Sequence, residues 1–241
     1  ITAYGDTVKI NQMGNVTIKD YTGADIDDPE EIDSTQITLT IAQAKYFNFA
    51  VKDVDKAQAN VNLLDGAMGR ASYGMADAID QDIFGQYANA GIKVGTAAAP
   101  TVIDTPAAAY DALVDLGIKL DEKNVPKAER KVVLPPWFFG LLAKDARFTR
   151  DLNILANGVV ENATVGRFQL LQSNNLTTET AGAVHALAGT TQAISFANQV
   201  VETEAYRPEK NFSDAVKGLN VWGRKVVQPD CLVDFVISPK A

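Results

Sequence analysis

The sequence predicts an α+β chain, and three successive hydrophobic patterns along its 241 residues predict it. The first run, to about residue 51, alternates apolar and polar side chains, as strands with one covered face do. Residues 55–90 then space their apolar side chains three and four apart, as one helix face does. The remainder mixes short strand-like runs with helical segments, separated by Gly, Pro and Asn turns. Hydrophobic residues make up 46% and charged residues 22%, which supplies a core and argues against disorder.

Taken in order, Val8 and Ile10, then Val16 and Ile18, flank the turn residues Asn11, Gly14 and Asn15. That spacing predicts a hairpin between these two runs, and with it a long β-arm. After an acidic stretch over residues 25–33, alternation resumes with Ile37, Leu39 and Ile41 opposite Thr38 and Thr40, and Phe47, Phe49 and Val51 carry it to the end of the arm. Ala57, Val61, Leu64, Met68, Ala71, Met75 and Ala78, followed by Ile79, Ile83 and Tyr87, predict one amphipathic helix over 55–90. At 1.5 Å per residue such a helix reaches about 50 Å, long against a mean of about three turns. Gly66, Gly69, Gly74 and Gly85 interrupt it, each weakening it by roughly 1 kcal/mol relative to alanine, so a bend is expected there.

Residues 90–100 read as a small-residue connector. Thr105-Pro106 supplies an N-cap followed by proline at the first helical position, predicting a helix over 106–121. Val125-Pro126 ends it, 131–134 reads as a short buried strand, and Pro135-Pro136-Trp137 opens a helix to about residue 146. Short strands with Gly and Asn turns continue to 191, including 168–171 before Ser173-Asn174-Asn175. Residues 192–198 read as a short helix. Strands over 200–206 and 218–227 follow, joined by Arg207-Pro208-Glu209-Lys210 and a helical turn at 212–216, and 231–237 closes the chain as a strand.

The formal charge is −8, so the basic stripe of a sequence-specific DNA binder is not expected. No stretch approaches the roughly 20 consecutive apolar residues that a membrane-spanning helix needs, and the start lacks the order of a secretory signal. A soluble, unexported chain with no membrane partner is the expectation. Ile1 stands where a methionine would, and is read as the start of a mature or truncated form. Cys231 is the only cysteine, which excludes an internal disulfide and fits a reducing compartment.

His185 is the only histidine, and base catalysis needs one beside a nucleophile. It lies in the strand-like run Ala183-Val184-His185-Ala186-Leu187, and no Gly-x-Ser-x-Gly elbow occurs. A packed or edge histidine is the favoured reading. Zinc sites of the His and Cys kind lack ligands, and neither a phosphate-cradling loop nor a dinucleotide fingerprint is present. No catalytic residue, cofactor or metal site is expected. The run Asp25, Asp27, Asp28, Glu30, Glu31, Asp33 offers oxygens to a hard cation, but its spacing is not that of the calcium helix-loop-helix and the turn glycine is missing. A solvated loop tip is the simpler reading. Lys9, Lys19 and Lys45, with Arg147, Arg150 and Arg167, could contact phosphates or acidic neighbours, against a bland role in solubility. At Glu204, Arg207, Glu209 and Lys210 both charge signs crowd one turn, which suits pairing between copies around a symmetry axis.

The run Gly5-Asp6-Thr7-Val8-Lys9-Ile10, then Val16-Thr17-Ile18-Lys19-Asp20-Tyr21-Thr22, the long helix, and the run from Glu204-Ala205-Tyr206-Arg207-Pro208-Glu209-Lys210 through Asn211-Phe212-Ser213-Asp214-Ala215-Val216-Lys217-Gly218-Leu219 resemble the major capsid proteins of tailed bacteriophages. The resemblance covers nearly the whole chain. It implies the Hong Kong ninety-seven type of capsid fold: an extended β-hairpin called the E-loop, a peripheral domain with a long spine helix, and an axial α+β domain. Mapped onto this chain, residues 1–51 are the E-loop arm with the family's N-terminal arm absent, 52–103 the peripheral domain with the spine helix, 104–196 the axial domain, 197–229 the peripheral strands and 230–241 a C-terminal strand. It further implies a non-enzymatic coat protein that self-assembles into pentamers and hexamers of an icosahedral shell around phage DNA, without sequence-specific binding, inside the host bacterial cytoplasm. Scaffold, portal and decoration proteins are the further partners it implies. Lys9, Lys19, Asp27, Asp28, Glu204, Arg207, Glu209 and Lys210 are then candidate inter-subunit contacts. An encapsulin-like compartment shell of the same fold is the alternative, and an exported surface adhesion module a more distant one.

Overall fold

The structure, a computed structural model, describes residues 7–13, 18, 20, 34–52, 63–149, 164–179 and 182–239. Its strands in chain order are β1 (Thr7–Met13), β2 (Ser34–Lys52), β3 (Ile92–Val94), β4 (Thr101–Ile103), β5 (Lys131–Leu134), β6 (Thr164–Val165), β7 (Phe168–Gln172), β8 (Val184–Gly189), β9 (Ile194–Tyr206), β10 (Ser213–Val226) and β11 (Leu232–Pro239). The helices are α1 (Leu63–Phe84), α2 (Pro106–Glu122), α3 (Pro136–Leu142) and α4 (Ala146–Thr149). Two sheets organise them. The smaller runs in the order β1-β2-β10-β9, and the larger in the order β3-β11-β8-β5-β7-β6, with β4 also paired to β11.

In the smaller sheet β1 pairs antiparallel with the start of β2, Thr7 opposite Thr40 and Met13 opposite Ser34. The hairpin expected between residues 8–10 and 16–18 is therefore corrected: the partner of β1 is the run 34–40, and Ile18 lies outside any strand, 95% exposed. Alternation tells which face of a strand is covered but not which strand covers it. Val8 falls opposite Leu39 and Ile10 opposite Ile37, and Val8 and Ile10 pack against a small cluster of Leu39, Ile41 and Ala197. The rest of β2 pairs with β10, from Ile41 opposite Gly223 to Lys52 opposite Ser213, and β9 forms the far edge.

Two further expectations are overturned here. Residues 192–198 and 212–216, read as a short helix and a helical turn, belong mostly to β9 and β10. Helices so short are marginal by themselves, and Ala215 sits between Ala50 and Tyr206 in continuous ladders, which outweigh local preference.

The predicted long helix is present from Leu63 to Phe84, and its first turns at 55–62 lie outside the described residues. It runs as one α-helix through Gly66, Gly69 and Gly74, then tightens into a 3-10 turn over Gly85–Asn89. No α1 side chain is fully buried. Asp82 fastens its last turn to β10: the Trp222 indole N–H donates to Oδ2 at 3.0 Å, and Arg224 Nη2 meets Oδ1 at 2.6 Å.

The larger sheet holds the main core. Ala109, Leu113, Leu116 and Leu120 of α2 and Phe138 and Leu142 of α3 pack with Val132, Leu134, Phe168, Ala186, Val233, Phe235 and Ile237 of the sheet. The connector expected at 90–100 contains β3, which with β4 runs parallel to β11. Residues 92–103, 131–189 and 232–239 thus contribute to a single sheet. The N-cap expectation is met: Thr105 Oγ1 accepts the Ala108 N–H at 3.1 Å, with proline at the helix start.

Candidate assembly surfaces

Polar groups inside the larger sheet's domain are spent on holding it together. The Arg130 guanidinium, 2% exposed, donates to Asp121 Oδ1 and the Val125 carbonyl at 2.7 Å each, and to the Pro126 carbonyl at 3.0 Å. A fourth donation reaches the Gly117 carbonyl at 3.4 Å. It thereby closes the loop after α2, and its bond holds the Asp121 carboxyl below the usual carboxylate range. Arg147 does likewise for α4. It bonds Asp145 and Asp111 and lies 4.3 Å from the Tyr110 ring centre, which lowers the Asp145 carboxyl and raises the guanidinium still further. Arg147 is therefore committed within the chain, not presented to phosphates. Arg167 occupies the β6–β7 turn at φ 71, and Arg150 lies outside the described residues.

His185 is buried in β8, as a packed histidine. Its Nδ1 faces both oxygens of Asp234 on β11, at 2.9 and 3.1 Å, so Nδ1 carries the proton and donates. The Tyr87 ring stacks on it with centres 3.9 Å apart, and Glu179 approaches Nε2 at 3.4 Å. Burial pushes the Asp234 carboxyl up, against the opposing pull of His185. Among the described residues its polar partners are Asp234 and Glu179, and it works as a cross-strand clamp.

The outer part of the chain presents its groups instead of hiding them. Lys9 is exposed on β1, opposite Thr38. Lys19, Asp27 and Asp28, and with them the whole acidic run, lie outside the described residues. Glu204, Arg207, Glu209 and Lys210 come together at the end of the β9–β10 hairpin, where residues 207–212 form the turn. Lys9 is not near them. Thr38 and Lys52, the β2 partners of Lys9 and of Ser213, stand fourteen residues apart, or about 45 Å of strand. The eight candidates therefore do not form one site.

At the hairpin end, two predicted charges already have partners in the chain. Glu204 Oε2 accepts from Lys217 Nζ at 2.8 Å, which raises the ammonium above its ordinary range, and Arg207 Nε lies 3.9 Å from Asp214. Lys217 also sits 5.3 Å from the Tyr206 ring centre, and the Tyr206 hydroxyl donates to Asn48 Oδ1 at 3.1 Å. These bonds lace β2, β10 and β9 into a stiff tongue ending in the turn. Glu209 and Lys210 make no ion pair among the described residues. Sequence reasoning missed the apolar members: Phe212 is 88% exposed at the turn, Tyr46 79% and Leu219 40% on the face behind it. Phe212 carried a signal, a large aromatic beside Pro208 and Lys210, which the helical-turn reading masked.

Among the described residues the buried charged groups serve strand-to-strand and loop contacts, and the long strand β2 and the β9–β10 hairpin carry exposed ones. The family model for phage capsid proteins matches residues 34–235, most of the chain. The chain belongs to the phage capsid protein family. That is a structural family, so this capsid protein forms shells and is not an enzyme. No curated protein matches it in sequence. Among solved structures, a chain from Mycobacterium phage Che8 is 26% identical with a TM-score of 0.75, covering 97% of this chain and 85% of that one. The capsid of the cyanophage P-SCSP1u matches with TM-score 0.76 at 15% identity, over 98% and 84% of the two chains. A virus-like particle from Pyrococcus furiosus matches with TM-score 0.61 at 13% identity, over 97% and 86%. The last two likenesses establish the fold alone: mixed helix and sheet, as in phage capsids.

Proposed function

We propose that this capsid protein is the major coat protein of a tailed bacteriophage, assembling as pentamers and hexamers into an icosahedral shell around double-stranded DNA. The observation that carries the reading is β2. It spans 19 residues, about 60 Å at strand rise; its second half belongs to the four-stranded sheet and its first half carries β1 outward with only a three-residue cluster of buried side chains behind it. Such an arm has little core of its own and gains by lying on a neighbour. On this reading the arm is the E-loop, α1 the spine helix, and β2, β9 and β10 the peripheral sheet. The larger sheet is the axial domain, and because sheet membership is a physical criterion, we assign β3, β4 and β11 to it along with residues 104–193, and leave 194–196 with β9 in the smaller sheet. The net charge of −8 suits an inner wall that must not grip DNA, whose affinity for proteins comes mostly from cationic side chains. Assembly in the bacterial cytoplasm, with scaffold, portal and decoration proteins, belongs to the same reading.

Electron microscopy of the expressed full-length protein tests it. Closed particles with fivefold and sixfold capsomers are expected, and a strictly monomeric protein in the presence of its phage partners overturns it. The second reading is a compartment shell of the same fold that houses protein, since the likeness to a virus-like particle carries the fold and not what it encloses. Purified particles separate the two: nuclease-protected DNA supports the phage reading, and co-purifying protein cargo without DNA supports the compartment.

A further inference from the structure

We infer that Phe212 is a knob that seats in a groove on a neighbouring copy, formed by Tyr46, Asn48 and Leu219 and rimmed by Glu202, Glu204 and Lys217. The inference rests on the shell-forming reading and names the contact made by the tongue.

Three observations carry it. First, Phe212 is 88% exposed in the turn of the β9–β10 hairpin, where no described residue covers the ring. Second, the same hairpin holds a groove of about 370 Å³ lined by those residues with Phe47 and Gly218, with room for an aromatic ring. Tyr46, Asn48, Glu202, Glu204, Lys217 and Leu219 share one face of the hairpin by their pairing register, while Phe47 and Gly218 alternate to the opposite face, where the Phe47 ring fills the space a Gly218 side chain would need. Third, the charges match. On the rim the Glu202 carboxylate stands beside the Glu204–Lys217 pair, and on the turn, where Arg207 is held by Asp214, Lys210 is the cation that can meet it.

Knob and groove cannot meet within one chain. Phe212 precedes Lys217 by five residues and Leu219 by seven on a straight, laced strand, a separation of about 17 to 23 Å. The occupant is therefore a second copy. Because each copy offers both halves, contacts either reciprocate about a twofold axis or run head to tail around a closed ring. Apolar contact supplies the attraction, and the opposed charges fix the register.

Cysteine pairing tests the contact directly, since the one native cysteine, Cys231, is buried. In the full-length chain, Asn211→Cys beside the knob and Asn48→Cys at the groove are combined, and assembled particles are oxidised. Covalently linked chains on a non-reducing gel are expected, as dimers for the twofold arrangement or as closed rings for the head-to-tail one, and neither single variant should give groove-to-turn linkage. Phe212→Ser should lower particle yield at least tenfold while the unfolding midpoint of the unassembled chain stays put, because the ring is bare there. Lys210→Glu should weaken assembly, and adding Glu202→Lys should restore it. Phe212→Ser particles forming at the parent yield, or no crosslink in intact particles, overturns the contact and leaves the shell reading standing. A parent chain that never forms particles overturns both.

Discussion

The larger sheet closes a continuous apolar core and exposes Val102, Val114, Ile118 and Leu171 around it, whereas the smaller sheet buries Trp222 but gathers only a small cluster of its own and exposes Tyr46, Phe212 and Leu219. Around β11, β8, β5 and β7 the side chains of α2 and α3 close a continuous core, and Leu113, Leu120, Phe138 and Phe168 have no exposure at all. Around β2, only Leu39, Ile41 and Ala197 form a buried cluster, while Tyr46 and Phe212 face solvent and α1, 22 residues long, buries none of its side chains. The larger buried core thus lies in one half, and two strongly exposed aromatics, Phe212 and Tyr46, in the other. In a shell protein that division makes sense: a self-sufficient unit holds the chain folded, and the unsatisfied unit drives association with copies.

The most severe test of this contrast is Phe168→Ala, which empties the centre of the larger core and should cost the unassembled chain about 3–5 kcal/mol in denaturant unfolding. A loss below 1 kcal/mol would mean that the larger sheet is not the stabilising unit. Next, Arg130→Met removes the donor shared by Asp121 and the carbonyls of Val125, Pro126 and Gly117. Buried acceptors without partners should cost roughly 3 kcal/mol, read from the same unfolding curves. Leu39→Ala, in the sparse cluster, should cost the unassembled chain about 2 kcal/mol, the low end for a buried leucine. Its larger consequence should be on particle yield by light scattering, since it loosens the root of the arm. If folding suffers and assembly does not, the arm is not the associating element.

The smallest effect is one of pH. Arg147 holds the Asp145 carboxyl below its ordinary value of 3.8, so the folded state binds that proton less readily than the unfolded chain does. Stability from this group is complete above the ordinary value and is lost as pH falls through the lowered one. Asp145→Asn should accordingly flatten the acid limb of a thermal-midpoint-against-pH curve. An unchanged acid limb would remove Arg147–Asp145 from the groups that secure the larger unit.

Much of this was legible in the residues, and the illegible parts share a cause. Thr105-Pro106 announces α2, because capping is decided within one turn. The spacing from Leu64 to Ile83 announces α1, because one period sustained over many residues leaves few alternatives. The partner of β1 was misassigned, since a strand's apolar face fits any complementary strand and only the folded chain brings residues 34–40 to it. Residues 212–216 looked helical in isolation and became strand because β2 and β9 supplied ladders on both sides.

By itself, the sequence determined the α+β class, the places of α1, α2 and α3, the strand character of residues 37–51 and the lack of residue types for familiar catalysis, all properties set by local period and composition. Only the tertiary structure decided how eleven strands divide into two sheets, that the lone histidine clamps Asp234, and that the charged turn carries a bare Phe212. Those outcomes depend on contacts between residues far apart in the chain, and hydrophobic period, which records only that a face is covered, does not specify what covers it.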